Sequence, residues 1–363
     1  MRNLFTLKLM LISLLTAMSM VAKADYIEFK TKDGLCYGID TDAKYATLSK
    51  YEGAATKVVI PKSVVYKGVA YDVTSLGNNC FADCSSLISV SIPSSVTSLG
   101  IGCFMWCSSL TSITIPSSVT SLGAGCFWDC SSLTSVTIPS SVTSLKDECF
   151  NGCSSLASIT IPSSITSLED GCFYGCSSLT SITIPSSVTS IGRGCFADCS
   201  SLASIRVEAN NPVYDSRENC HAIIETSTNT MIAGCRNTII PSSVTSLGDF
   251  CFQGCSSLTS ITIPSCVTHL GAGCFEGCSS LTSINIPSSV TDMEYQCFDA
   301  CSSLKTVICE MPTPIEGIFF YKTPIDQAML YVPKSSFSSY QSSKTWNEFR
   351  TILPIASNHP SKP

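Results

Sequence analysis

The feature that most constrains this chain is a repeat. Starting at each Ile-Pro, the segments 92–114, 115–137, 138–160, 161–183, 184–206, 240–262, 263–285 and 286–308 align without a gap at a period of 23 residues. An irregular copy from Ile60 to Ser91 precedes them, with extra residues that include Val65 to Asp72. A short unit repeated in register makes the chain grow along one axis, so its 363 residues do not partition into two or three globular domains as the length alone would suggest.

Within the copy at 115 the apolar positions change their spacing. Cys126, Phe127, Cys130 and Leu133 follow helical spacing, whereas Val136 and Ile138 alternate as a strand does. Pro139 ends that strand because it has no N–H to give the next rung, and the serines after it favour a turn. One coil buries too little apolar surface to offset the entropy of ordering its residues. Stacked coils pair their strands and merge their apolar columns into one core. The pattern therefore predicts a solenoid with short parallel strands on a concave face and short helices or 3-10 turns on the other side, capped at both ends. Residues 25–59 are the expected N-terminal cap and 60–308 the solenoid. A hairpin-like insertion is expected at 207–239. Residues 309–363, with Trp346, Phe349 and Ile352, form the expected C-terminal cap and tail.

The period lies in the range of leucine-rich repeats. The pattern I-P-x-S-V-T-x-[IL]-G-x-x-C-F-x-x-C-S-S-L-x-x-[IV]-x resembles the BspA-like leucine-rich repeats of bacterial and protozoan surface antigens, over roughly residues 60 to 310. The stretch Leu330-Tyr331-Val332-Pro333, followed by Trp346 and Phe349, looks like segments found after such arrays. The resemblance implies a curved leucine-rich-repeat solenoid and adherence to host extracellular-matrix proteins or cells. One departure is systematic. The residue before the Phe, usually Ala in the family, is Cys here, at 80, 103, 126, 149, 172, 195, 251, 274 and 297.

Residues 1–24 read as an export signal: Arg2 and Lys8, an apolar run from Leu9 to Val21, and an A-x-A site at Ala22-Lys23-Ala24. The run is too short to span a bilayer, and no second apolar stretch near the C-terminus offers an anchor. The mature chain is expected to begin near Asp25 and to be soluble, on the cell surface or released, with a periplasmic location still open. Loss of Arg2, Lys8 and Lys23 leaves 18 basic against 27 acidic groups, a net charge of −9, which disfavours nucleic acid and anionic lipid as partners.

Eighteen of the 23 cysteines fall in nine C-F-x-x-C pairs. Zinc sites favour C-x-x-C with partner pairs or histidines, and the whole chain has three His. A redox thiolate needs a nearby base, which one copy could supply but not nine. Bridges within a pair are awkward, because i and i+4 Cβ atoms on one helix lie too far apart. Cysteine as a small buried apolar residue fits every copy. Bridges between adjacent coils stay open as an alternative in an oxidising compartment. If Thr226 opposes Asn229 in a hairpin across Ser227-Thr228-Asn229, then Cys220 opposes Cys235 and a disulfide is expected there. Cys266 and His269 replace two repeat serines without a third or fourth ligand and read as drift, so neither a metal nor a cofactor is expected.

In a coil of this kind the residues flanking the strand aliphatic point outward. They form rows of hydroxyls: Ser112 and Thr114, Ser135 and Thr137, Ser158 and Thr160, Ser181 and Thr183. These are the candidate ligand-binding residues, although Ser and Thr also suit a strand for its own sake. Variation among copies lies on the opposite side, at Met105-Trp106, Trp128-Asp129, Lys146-Asp147-Glu148, Tyr174, Arg193, Phe250, Glu276 and Tyr295, and exposed aromatics there are equal candidates for contacts. No G-x-S-x-G, H-E-x-x-H or phosphate-binding loop occurs, and His221, His269 and His359 are scattered, so no enzyme is expected. The expected function is that of a monomeric, exported binding protein, adhering to a host extracellular-matrix protein or cell-surface glycoprotein. A structural or self-associating coat protein is the alternative.

Overall fold

A computed structural model describes residues 26–356. The expected export signal lies outside the described residues. The chain divides into two compact units between Leu156 and Ala157.

The first unit opens with an antiparallel meander, β1 (Tyr26–Lys30), β2 (Leu35–Asp40) and β3 (Tyr45–Tyr51). β4 (Lys57–Val59) follows, inside the stretch expected to be cap, yet it is already a rung of the parallel sheet. The extra residues of the irregular copy form a hairpin, β5 (Ser63–Tyr66) and β6 (Val69–Leu76), paired Ser63↔Asp72 to Tyr66↔Val69. Its two-residue turn places Lys67 at φ 48° and Gly68 at φ 79°, the left-handed pair that matches strand twist. β6 then runs parallel to β3 and continues into a narrow ladder, Ser75-Leu76 beside Ser98-Leu99 beside Ser121-Leu122. β4, β7 (Ser89–Ser91), Ser112–Thr114 and Ser135–Thr137 form a second, four-stranded parallel sheet.

Opposite the strands, each coil is a train of turns and not a helix. Cys103, Met105 and Cys107 donate to the carbonyls of Gly100, Gly102 and Phe104 in single i→i−3 turns. The residues between them reach across to the next coil: Gly102, Phe104 and Trp106 donate to Ala124, Cys126 and Trp128. This alternation requires left-handed backbone before each cysteine of a pair, at Gly102 (φ 59°) and Trp106 (φ 61°) in one coil and Glu148 (φ 55°) in another. Glycine adopts that conformation without steric cost, and the coil stacking holds the other residue types there. Behind the turns the phenylalanines stack nearly parallel, Phe81 on Phe104 at 5.2 Å, Phe104 on Phe127 at 5.5 Å and Phe127 on Phe150 at 5.3 Å between ring centroids.

The second unit repeats this plan with an interruption. Ser181–Ile184 pairs in parallel with Ser204–Val207, and the chain then leaves the repeat for short strands at Tyr214–Asp215, Ile223–Glu225 and Thr230–Ala233. The hairpin register is Glu225↔Thr230 and Ile224↔Met231, as the sequence suggests, but a bulge between Ile223 and Ile224 shifts it so that Ile223 faces Ala233. That shift carries Cys220 and Cys235 out of opposition, and both thiols are free and buried. The turn side bypasses the insertion: Asp198 N–H donates to Gln253, and Arg193 pairs with Asp249 at 2.6 Å.

The C-terminal end is a parallel sheet of Ser283–Ile286, Thr306–Cys309, Met329–Val332 and Thr351–Pro354. Trp346 is fully buried, stacks edge-on against Phe320 at 5.5 Å, and its indole N–H donates to the Ile315 carbonyl at 2.7 Å. Phe349 is buried beside it, while Ile352 is half-buried against the same core. Among the described residues no helix is long and apolar enough to cross a membrane.

Candidate ligand-binding face

The strand period of two decides which side chains face out. In the first unit Ile113 and Val136 point into the core, and Ser112, Thr114, Ser135 and Thr137 stand exposed on the other face. Parallel pairing aligns them into rows, Ser112↔Ser135 and Thr114↔Thr137, with Ser91 continuing the second row. In the second unit Ser181 and Thr183 are exposed in the same way, paired with Ser204 and Arg206. Ser158 and Thr160 are also exposed, but residues 157–162 carry no strand, although their sequence matches the neighbouring copies. The expected row is therefore strand-borne at six of the eight positions.

Other hydroxyls of the same repeat behave differently. Thr97 and Thr120 donate across coils to the Thr74 and Thr97 carbonyls at 3.1 and 3.3 Å. Ser118, Ser187 and Ser289 bridge to the coil before at 2.6 to 2.7 Å. These are structural struts. The outward hydroxyls at 112, 114, 135, 137, 181 and 183 make no side-chain hydrogen bond within the described residues. Each can donate and accept, so the rows offer an uncharged array of alternating hydrogen-bonding groups.

The opposite rim is less open than its residue types suggest. Trp128 is buried and Trp106 half-buried, their rings 6.2 Å apart. Phe250 is half-buried under the Arg193 guanidinium, whereas Tyr295 is 53% exposed. Sequence reasoning missed several strongly exposed apolar groups, Val59, Ile239, Ile318 and Tyr321. They lie where cap, insertion or C-terminal segment replaces the repeat, so no periodicity marks them.

The cysteine pairs are core. All cysteines of the described residues are free, and of the paired ones only Cys84 is more than marginally accessible. In the regular coils the second thiol of a pair donates to the phenylalanine carbonyl of the preceding coil, as Cys107 to Phe81 and Cys130 to Phe104, both 3.1 Å, and Cys278 to Phe252 at 3.2 Å, whereas Cys255 after the insertion faces the Gly234 carbonyl. Burial pushes these thiols up, Cys255 to about 12, which leaves them protonated and unreactive at neutral pH. Cys266 takes over a serine strut, donating to Val244 at 3.0 Å, while His269 turns away to Asp292 (2.8 Å) and Glu294 (3.8 Å). Among the described residues no group of three His, Cys, Asp or Glu side chains is placed to hold a metal ion.

Stacked coils with outward hydroxyls define a repeat scaffold that presents an extended surface. The model of the BspA-type leucine-rich repeat region matches residues 74–203 and 223–345, in six copies, and the chain belongs to that family. It is similar to a leucine-rich cell surface protein of Faecalibacterium prausnitzii, with 28% identity, a TM-score of 0.69 and coverage of 93% of this chain and 97% of that one. A leucine-rich repeat protein of Eubacterium ventriosum (22% identity, TM-score 0.61, covering 91% and 86%) shares the fold. So does the pneumococcal vaccine antigen PcpA (15%, 0.57, covering 91% and 99%). No curated protein matches the chain.

Proposed function

We propose that this chain is an exported, non-catalytic binding protein. It stands on the cell surface or is released, and it adheres as a monomer to a host extracellular-matrix protein or cell-surface glycoprotein through its outward hydroxyl rows. The observation that carries the reading is the division of labour among the hydroxyls: the struts are bonded, and the rows at Ser112, Thr114, Ser135, Thr137, Ser181 and Thr183 are left without a protein partner. Ser158 and Thr160, in the second unit, are exposed as well but lie outside any strand. Membership of the BspA-type family and the likeness to a cell surface protein support a surface location.

The test is saturable binding of the immobilised chain to a panel of extracellular-matrix proteins and epithelial cells, beside a variant carrying Thr114→Lys and Thr137→Lys. Binding lost in the variant supports adhesion through the sheet. Binding kept in both moves the contact to the rim around Tyr295. A second reading, a self-associating coat protein, is favoured by the exposed Val59, Ile239 and Ile318 together with a charged fraction of 13%. Light scattering that rises with protein concentration, with no binding to the panel, would select it.

A further inference from the structure

The first unit also holds a cleft that the hydroxyl rows do not use. β4 ends the four-stranded sheet and has β7 as its only neighbour there. Its register is Lys57↔Ser89, the Thr56 carbonyl accepts from Ser89, and Ile60 N–H donates to Ser91. In a parallel ladder alternate residues face the same neighbour, so 56, 58 and 60 bond to β7, while Lys57 and Val59 turn their N–H and C=O groups to the open side. The side chains of both are exposed, Val59 to 74%.

That open edge borders a cleft of about 560 Å³, within the range of binding sites for small ligands and short segments. Its far wall is made by Lys32-Gly34 and by the end of β3 with the residues after it, Tyr51-Gly53, so an added strand would lie between that wall and β4. Its charge runs against that of the whole chain, which is −6. Lys30 and Lys50 both pair with Glu52, at 2.9 and 2.8 Å, and cancel its charge. Lys32, Lys57 and Asp33 line the cleft without an ion pair among the described residues, and with Lys30 set against Glu52 the lining keeps an excess of lysine over carboxylate. The outer sheet edge at the C-terminal end of the second unit is blunted by a proline. There Ile355 donates to Val332, which turns Pro354, a residue with no N–H, toward the open side.

We propose that this cleft binds an extended acidic peptide segment of another protein, which adds a strand to the free edge of β4 and sets its carboxylates against Lys57 and Lys32. Main-chain hydrogen bonds to Lys57 and Val59 give the strand its register, and the lysines select its charge. The site is separate from the hydroxyl rows, so it stands whether or not those rows bind a partner.

The experiment is calorimetric titration of the full chain with the peptide acetyl-Glu-Val-Glu-Val-Glu-amide. Two control peptides accompany it, one with backbone N-methyl groups on alternate residues and one with Lys in place of Glu. The plain acidic peptide is expected to bind, and each control to lose on the order of tenfold or more, the scale of one charged hydrogen bond. Val59→Pro removes a free edge N–H without touching the β7 ladder. It is expected to abolish binding with an unchanged melting curve. Lys57→Glu is expected to reverse the preference toward the Lys peptide. No binding at millimolar peptide, equal binding by the N-methylated control, or undiminished binding by Val59→Pro would overturn the proposal. So would a concentration-dependent dimer abolished by Val59→Pro, since the edge would then serve a second copy.

Discussion

Two columns run through the first unit at the same period and under opposite constraints. The Phe and Cys column is buried, ring on ring and thiol on carbonyl, from Phe81 to Phe150. The outward column at Ser112, Thr114, Ser135 and Thr137 touches no other side chain through a hydrogen bond. Packing explains the regularity of the first, because a change in one coil leaves a void against both neighbours. Packing places no such demand on the second. Repetition in a core is evidence about folding, and repetition on an unconstrained face is where a functional reading has something to explain.

The comparison breaks first if the buried column tolerates change. Phe127 is fully buried between Phe104 and Phe150, so Phe127→Ala is expected to destabilise the chain by about 3 to 5 kcal/mol. Urea denaturation would show this as a lowered midpoint, and an unchanged midpoint would mean that the stack relaxes around the void.

Alkali probes the same column without mutation. Cys255 is raised to about 12 and Cys220 to about 11 by burial, against an ordinary value near 9. Between those values the unfolded chain has lost protons that the folded chain still binds, so stability falls as pH rises. It is expected to be constant up to about pH 9 and then to decline steadily toward pH 12, read as a falling melting temperature. In the native protein at neutral pH the paired thiols other than Cys84 should resist alkylation, with Cys36, Cys84 and Cys266 the most reactive because they alone among the described cysteines are partly accessible. A flat profile above pH 9, or rapid labelling of Cys126, would show that the column is open to water.

A smaller effect separates the two cysteines of a pair. Cys130 donates to the Phe104 carbonyl at 3.1 Å, so serine can keep the bond, while Cys126 is fully buried and has no such partner. Cys130→Ala is expected to cost about 1 to 2 kcal/mol for the lost bond and methyl-sized volume. Cys130→Ser should cost less than Cys126→Ser, which buries a hydroxyl with nothing to donate to. Equal costs for the two serine variants would remove the distinction between strut and filler.

The repeat made most of this legible. The period, the inward aliphatics, the Phe and Cys column and the outward rows all follow from which positions recur. The turns did not, because C-F-x-x-C has helical spacing. The left-handed residues before each cysteine are Gly in some coils but Trp106, Glu148 and Phe250 in others, so no single coil announces them. The hairpin turn at 227–229 was readable, and its first two pairs hold, but a bulge has no sequence mark and it separates Cys220 from Cys235. On the candidate face, the loss of strand at Ser158 and Thr160 is equally silent in a sequence that matches its neighbours. The free edge of β4 was hidden for a different reason: it depends on where a non-repeating cap stops, which periodicity does not describe.

The outward column offers the smallest expected change in stability and the sharpest contrast. Thr137 is exposed and bonded to nothing through its side chain, so Thr137→Val keeps shape and strand preference while removing one donor and one acceptor. Its effect on the urea midpoint is expected to lie within about 0.5 kcal/mol, and Ser135→Ala beside it should behave alike. If the rows bind a partner, the pair of substitutions weakens binding without moving the midpoint. A midpoint that falls instead would mean that the hydroxyls stabilise the sheet through ordered water, and the regularity of the face would then be a property of folding after all.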